Sequence, residues 1–222
     1  PGVGSVETAA TGAHSHRWLQ FPLTPPQVPL FSNHAHYIDW MEQQLAAGAM
    51  QNVRHLWTSV RPNGDNRPHD LNRVEIRICD LIADPSELLA VTALAELRVQ
   101  QLLRQPEHHD PLLCSSLHPE ALAALCDAND RAAAQSSLEA TLQDWRTGSS
   151  IGATDWIRGL LEELAPLAKE LQLEAVLAPL HGLLSQGNQA MHWLRRHQAG
   201  ESVAAIVASD AAALALREEA LG

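Results

Sequence analysis

The sequence is short of positive charge, of cysteine and of long apolar runs, and each shortage removes a class of protein. Among its 222 residues, 15 Lys and Arg stand against 26 Asp and Glu, for a net charge of −11. A surface weighted in this way repels phosphate backbones and anionic lipid, so no nucleic-acid partner is expected. No stretch approaches the roughly 20 consecutive apolar residues that span a bilayer, and the start of the chain has no basic region followed by an apolar core. Neither membrane insertion nor secretion is expected. The three cysteines, Cys79, Cys114 and Cys126, are odd in number and too scattered for a CxxC metal site or a disulfide framework. They predict a chain of the reducing cytoplasm. What is present, 45% hydrophobic and 18% charged residues, excludes disorder throughout and describes a globular chain. Because it opens on Pro1 rather than Met, the expectation is a piece of a longer polypeptide.

The pattern divides near residue 30. Pro22, Pro25, Pro26 and Pro29 forbid a continuous helix or central strand, so residues 1–30 read as an extended, Pro-rich lead-in. From Asn33, the spacing of Tyr37, Trp40, Met41 and Leu45 predicts one amphipathic helix, with Ser32 or Asn33 as N-cap and Gly48 as its stop. Residues 55–61 and 73–80 predict two strands of an antiparallel hairpin, with turn residues from Pro62 to Asn72 between them. Asp84-Pro85-Ser86-Glu87 orders a cap, a first-turn proline and a capping-box glutamate. The helix it opens is expected to bury Leu88, Leu89, Val91, Leu102 and Leu103 and to end at Pro106. After Pro119 the Ala- and Leu-rich chain predicts helices broken near Gly148, at Pro166, at Pro179 and at Gly187-Asn188. The fold class is therefore α+β: a hairpin over residues 55–80, with helices over 85–222.

The second strand carries the chemistry. Alternation puts Val74, Ile76 and Ile78 on one face, expected to pack, and Arg73, Glu75, Arg77 and Cys79 on the other. The first strand repeats the design, with Arg61 on its polar side. A carboxylate among guanidinium groups suits a nucleotide ligase: the carboxylate holds a divalent cation against phosphates, and Arg neutralises charge that develops during phosphoryl transfer. An exposed sheet face with cross-strand ion pairs would show the same pattern.

The wording of the segment adds more. VEIRICDLIADP, with LWTSVRPNGDNRPHDLNR before it, resembles the LW..RP....LE.RICD segment of carboxylate-amine ligases of the glutamate-cysteine ligase type. NHAHYIDWMEQQLAAGAMQNVRHLW is similar to the stretch that leads into that segment in the cyanobacterial branch, and GNQAMHWLRRHQAGES to the closing helices. The resemblance runs in order over about residues 31–205, which reads residues 31–222 as the C-terminal part of a catalytic domain. It implies ATP-dependent joining of L-glutamate to L-cysteine, the first step of glutathione formation, on an antiparallel sheet of the glutamine-synthetase-like type. It implies Mg²⁺ held by Glu75, phosphate bound by Arg77, and Arg61 on a phosphate or on the glutamate carboxylate. A homo-oligomer is compatible with it. The glutamate-rich strand that opens such domains does not precede Pro22, so incomplete metal coordination is expected of this stretch alone.

Other residues read more simply. His14 with His16, and His34 with His36, suggest zinc but lack Cys or Asp at ligand spacing, and the second pair would diverge on a helix surface. His108 and His109 fall in an expected loop. Cys79 reads as a packed thiol, Asp80 as a turn or a support for Arg77, and Trp57 as packing. Asn129 and Arg131 read either as polar residues near the site or as a solvated helix face. The competing function is a non-catalytic helical interaction module carrying an incomplete ligase motif.

Overall fold

The computed structural model describes residues 25, 28–50, 60–62, 74–76 and 82–221. Helix α1 (His34–Ala46) begins where Asn33 accepts the His36 N–H at 2.9 Å. It ends in a two-bond turn, Gly48 N–H to Leu45 O and Ala49 N–H to Gln44 O, made possible by Gly48 at φ +70°. Tyr37 and Met41 of this helix pack with Met50, flanked by Phe31 and Trp40.

Strands β1 (Val60–Pro62) and β2 (Val74–Ile76) pair antiparallel. Pro62, expected to open the turn, is instead the last residue of β1; the end of a two-stranded ribbon tolerates its missing N–H. The outer parts of the expected strands, 55–59, 73 and 77–80, lie outside the described residues.

Helix α2 (Pro85–Arg104) organises the rest. Asp84 caps it, accepting the N–H groups of Ser86 at 2.8 Å and Glu87 at 3.3 Å. Its buried residues are Ala90, Ala93, Leu97 and Gln101, a stripe one residue wide at helical spacing. The expected face was wrong in part. Leu88, Leu89 and Leu103 are 46%, 61% and 72% exposed, and only Val91 and Leu102 stay half-buried. Small residues on the inner stripe let neighbouring helices approach closely, and that geometry turns the large leucines outward.

Pro106 ends α2 as expected, then starts the one-turn helix α3 (Pro106–His109); α4 (Pro111–Cys114) and α5 (Pro119–Ser136) follow. The sequence predicts helix in the next segment, but Thr141–Gln143 (β3) and Ser150–Gly152 (β4) form a second antiparallel hairpin. Asp144 closes it: its carboxylate accepts the N–H groups of Arg146 at 2.9 Å and Thr147 at 3.0 Å, while Gly148 takes φ +76°. Asn129 of α5 lies along β3, donating to Gln143 O at 2.9 Å and accepting Gln143 N–H at 2.8 Å. Its role is therefore to secure the hairpin.

Helix α6 (Ala153–Glu170) continues through Pro166, which had been expected to break it. Pro166 and Glu162, whose carbonyl loses its helical partner, are both exposed, whereas Leu164 and Ala168 on the inner side are buried. Water can satisfy the carbonyl, and burial keeps the helix whole. Three further helices, α7 (Glu174–Leu177), α8 (Pro179–Gln186) and α9 (Gln189–Gln198), lead to α10 (Val203–Leu221). The main core joins Ala90, Ala93 and Leu97 of α2 to Leu164 and Ala168 of α6, Leu177 of α7 and Leu180 of α8. Trp193 of α9 and Ile206 of α10 form a separate cluster.

Two predictions follow from this packing. Leu97→Ala removes a fully buried side chain and should cost about 3 kcal/mol in denaturant unfolding, whereas Leu103→Ala should stay within about 0.5 kcal/mol. Equal losses would show that the buried face is wrong. Gln172, in the turn after α6, has φ +57°, a region that strains any side chain. Gln172→Gly should therefore raise stability by about 0.5 kcal/mol, measured as a melting-temperature increase of roughly 1–3 °C.

Candidate functional site

In the β1–β2 ribbon the register sets Arg61 directly opposite Glu75, with Val60 opposite Ile76 and Pro62 opposite Val74. Directly opposed positions of an antiparallel pair share one face, so Arg61 and Glu75 occupy the same side of the sheet and their neighbours the other. This is the arrangement the alternation of the sequence demands. Ile76, expected to pack, is instead 43% exposed, because a two-stranded ribbon leaves one face uncovered. Arg77 lies outside the described residues, as do Trp57, Cys79, Asp80, His14 and His16.

After β2 the described chain resumes at Ile82, and Ala83 donates its backbone N–H to Oε1 of Gln189 at 3.3 Å. This bond links the residue before the Asp84 cap to the first turn of α9. Between them lies an open cleft of about 250 Å³, lined by Asp84, Glu87, Gln189, His192, Trp193 and Arg196, among others. One wall is built by charge. Arg196 donates to Glu201 at 2.7 Å, to Asp210 at 2.9 Å and to Ser209 at 2.7 Å, and the Trp193 indole N–H also donates to Asp210. Burial pushes the Asp210 carboxyl up, but hydrogen bonds from Trp193, Arg196 and Gln189 outweigh it and hold the group below its ordinary range. The Arg196 hydrogen bond likewise lowers Glu201. Sequence patterning missed this network because its members are spread over two helices and a turn.

It also missed a second polar cluster. His109, expected in a loop, ends α3 and is 6% exposed, with Nδ1 lying 3.3 Å from Glu163, 3.3 Å from Arg146 and 3.4 Å from Arg98. Gln101 donates to the same Glu163 carboxylate at 2.7 Å. Burial, and then the nearby Arg98, lower the His109 pKa despite the attraction of Glu163. The cluster pins α2, α3, α6 and the β3–β4 turn together. Its signal in the sequence, a histidine pair after a proline, is too weak to read.

The remaining candidates are surface features. The His34 ring stacks against Tyr37 at 6.1 Å, and His36 Nδ1 accepts the Ser32 N–H at 3.3 Å. Among the described residues no three His, Cys, Asp or Glu side chains gather to hold a metal. For a magnesium nucleotide, Glu75 offers a hard oxygen donor and Arg61 a planar phosphate donor. The pair suits the group in kind, while one carboxylate is fewer than such a site usually draws on.

The profile of glutamate-cysteine ligase family 2 matches residues 6–209. The chain belongs to that family. A protein of Gloeobacter violaceus named "Putative glutamate--cysteine ligase 2" is 29% identical over 185 residues, covering 83% of this chain and 47% of its own length. A Frankia alni protein named "Putative glutamate--cysteine ligase 2-1" is 26% identical over 181 residues, 82% of this chain and 44% of its own. A third, from Rhodospirillum rubrum and named as the first, is 28% identical over 166 residues, 74% of this chain and 40% of its own. The chain thus spans less than half the length of these curated relatives. Among the described residues no helix is long and apolar enough to cross a membrane.

The His109 cluster sets a pH dependence. Burial lowers the His109 pKa in the native state, whereas the unfolded chain takes up a proton near the ordinary value of 6.5. Stability should therefore be fully present above about pH 7 and decline as pH falls through 6.5 toward the lowered native value. His109→Gln should flatten the pH dependence of the urea midpoint between about pH 7.5 and 5.5. An unchanged slope would remove His109 from this role.

Proposed function

We propose that the chain contributes the Arg61, Glu75 and Arg77 surface of an ATP-dependent glutamate–cysteine ligase. The observation that carries this reading is the pairing of Arg61 opposite Glu75, in a chain of this ligase family. The reaction joins the side-chain carboxylate of L-glutamate to the amine of L-cysteine, giving γ-glutamylcysteine, the first step of glutathione biosynthesis. ATP is the co-substrate: its γ-phosphoryl group passes to the glutamate carboxylate, and the cysteine amine then displaces phosphate. Mg²⁺, when bound, neutralises charge between the phosphates and the protein.

Glu75 is the carboxylate that would hold the metal, with further donors required from elsewhere. Arg77 is the phosphate clamp, its planar guanidinium suited to two oxygens at once. Arg61, across the ribbon, faces either a phosphate or the glutamate carboxylate. The protein's contribution is then orientation and charge neutralisation, with no nucleophile of its own. The sheet belongs, on this reading, to the glutamine-synthetase-like type, and the setting is cytoplasmic. A homo-oligomer is compatible with it.

Glu75→Gln keeps the volume and removes the charge, so cysteine-dependent ADP release should fall by about 10²-fold or more, and Mg·ATP binding with it. Arg77→Lys should also reduce both, because a point charge cannot replace the bidentate donor. Melting of the same variants is the control. Wild-type binding and turnover in Glu75→Gln, combined with a lowered melting temperature, would return Glu75 to a structural ion pair and overturn the proposal.

A further inference from the structure

One nitrogen of the buried His109 ring has two kinds of neighbour that it cannot serve together. Nδ1 lies 3.3 Å from Arg146 Nη2, in the β3–β4 turn, and 3.4 Å from Arg98 Nη1, on α2. The same atom lies 3.3 Å from Glu163 Oε1, on α6. A guanidinium only donates and a carboxylate only accepts, so Nδ1 serves the arginines when it bears a lone pair and Glu163 when it bears a proton. Two donors face one acceptor there, and that acceptor already takes a short bond of 2.7 Å from Gln101. The neutral ring is therefore assigned its proton on Nε2. The ring's other titratable neighbour is His108, on the same helix.

The two arginines are not held equally. Arg98 also donates to Gln101 Oε1 and its side chain is 24% exposed, whereas the Arg146 side chain is 39% exposed and meets Glu163 at 3.9 Å. The Arg146 guanidinium rests over the Trp145 ring, 4.3 Å from its centroid. The backbone of the turn is fastened separately. Ser116 donates its N–H and its hydroxyl to Arg146 O, both at 2.9 Å, and Ser115 Oγ donates to Trp145 O at 2.6 Å. Arg146 can thus give up its contact with the ring while the hairpin stays in place.

From this geometry we infer that His109 is a pH-operated latch: the neutral ring holds the Arg146 guanidinium against α2 and α6, and protonation at Nδ1 transfers the ring to Glu163 and releases Arg146 toward solvent. The proton comes from solvent and forms the N–H bond that Glu163 accepts; no other covalent bond is made or broken. Repulsion decides the direction. A protonated ring between two guanidinium groups faces like charge on both sides, and the more exposed Arg146 leaves at the smaller loss. Burial and the nearby Arg98 keep the ring neutral to below the ordinary 6.5, so the latch is closed above that pH and opens on acidification beneath it. It stands whether or not the ligase reading does.

The test is an NMR titration of the full chain between about pH 8 and 4, following the His109 ring nitrogens, the Arg146 Nε–H and the Trp145 indole N–H. At the upper end Nδ1 should be unprotonated and Nε2 protonated. On acidification all three signals should move with one common midpoint below 6.5, while circular dichroism stays at its starting value. In His109→Gln, which cannot take up the proton, the Arg146 and Trp145 signals should stay still. Glu163→Gln keeps the volume and an acceptor for Gln101 but removes the charge that favours the protonated ring, so the common midpoint should fall by about one pH unit.

A neutral ring with its proton on Nδ1, an Arg146 signal that ignores the ring titration, or the same Arg146 change in His109→Gln would each overturn the latch. So would a ring that stays neutral until circular dichroism shows the chain unfolding. An unmoved or raised midpoint in Glu163→Gln would remove Glu163 as the second partner, and the exchange of partners with it. Should His109→Gln fail to fold, the wild-type titration and Glu163→Gln decide the matter.

Discussion

Most of the described helical structure depends on one constraint, the narrow inner stripe of α2. Ala90, Ala93 and Leu97 let α6, α7 and α8 close on the same helix, and Leu164, Ala168, Leu177 and Leu180 fill the space between. Small side chains at two of the three contact positions leave room for the neighbouring helices, and dispersion contacts are dense where helices pack closely. The stripe also ends in chemistry. One turn beyond Leu97, Gln101 meets Glu163, and the charged cluster around His109 begins. A helix that is apolar at its middle and polar at one end thus ties the core to the second hairpin, while Ala83, just before its cap, meets the first turn of α9.

The elements most legible in the sequence were those with local causes. Asn33, Gly48, Asp84 and Pro106 mark boundaries by chemistry acting within a few residues, and the structure places helix ends there. The pairing of the two strands was legible from alternation, and the register sets Arg61 opposite Glu75. What could not be read depended on distant partners. The outward turn of Leu88, Leu89 and Leu103 is decided by which side of α2 other helices occupy, and hydrophobicity alone chose the larger residues. Pro166 obeys the same logic: a proline inside a helix carries a local penalty, but burial of Leu164 and Ala168 outweighs it and the expected break does not occur.

The candidate site was legible only in its central residues. Arg61 and Glu75 stand on adjacent strands, where period-two alternation suffices to place them on one side. The polar network of Trp193, Arg196 and Asp210 was not legible, because its members come from helices whose mutual approach is a tertiary fact. The similarity of GNQAMHWLRRHQAGES to closing helices of the family marked the region without saying what it touches. The structure supplies that contact: the start of this segment reaches back to Ala83, just before the cap of α2.

The β3–β4 hairpin has only two strands, and such a ribbon normally presents an open rail of main-chain donors and acceptors along each side. At Gln143 that rail is already occupied. The carboxamide of Asn129 supplies one donor and one acceptor in the spacing a neighbouring peptide unit would offer. In effect a single side chain stands in for a third strand, at the cost of one residue rather than a whole segment. The consequence reaches beyond folding: a second molecule that tried to extend this ribbon at its β3 edge would first have to displace the amide, so that edge carries its own guard against edge-to-edge aggregation.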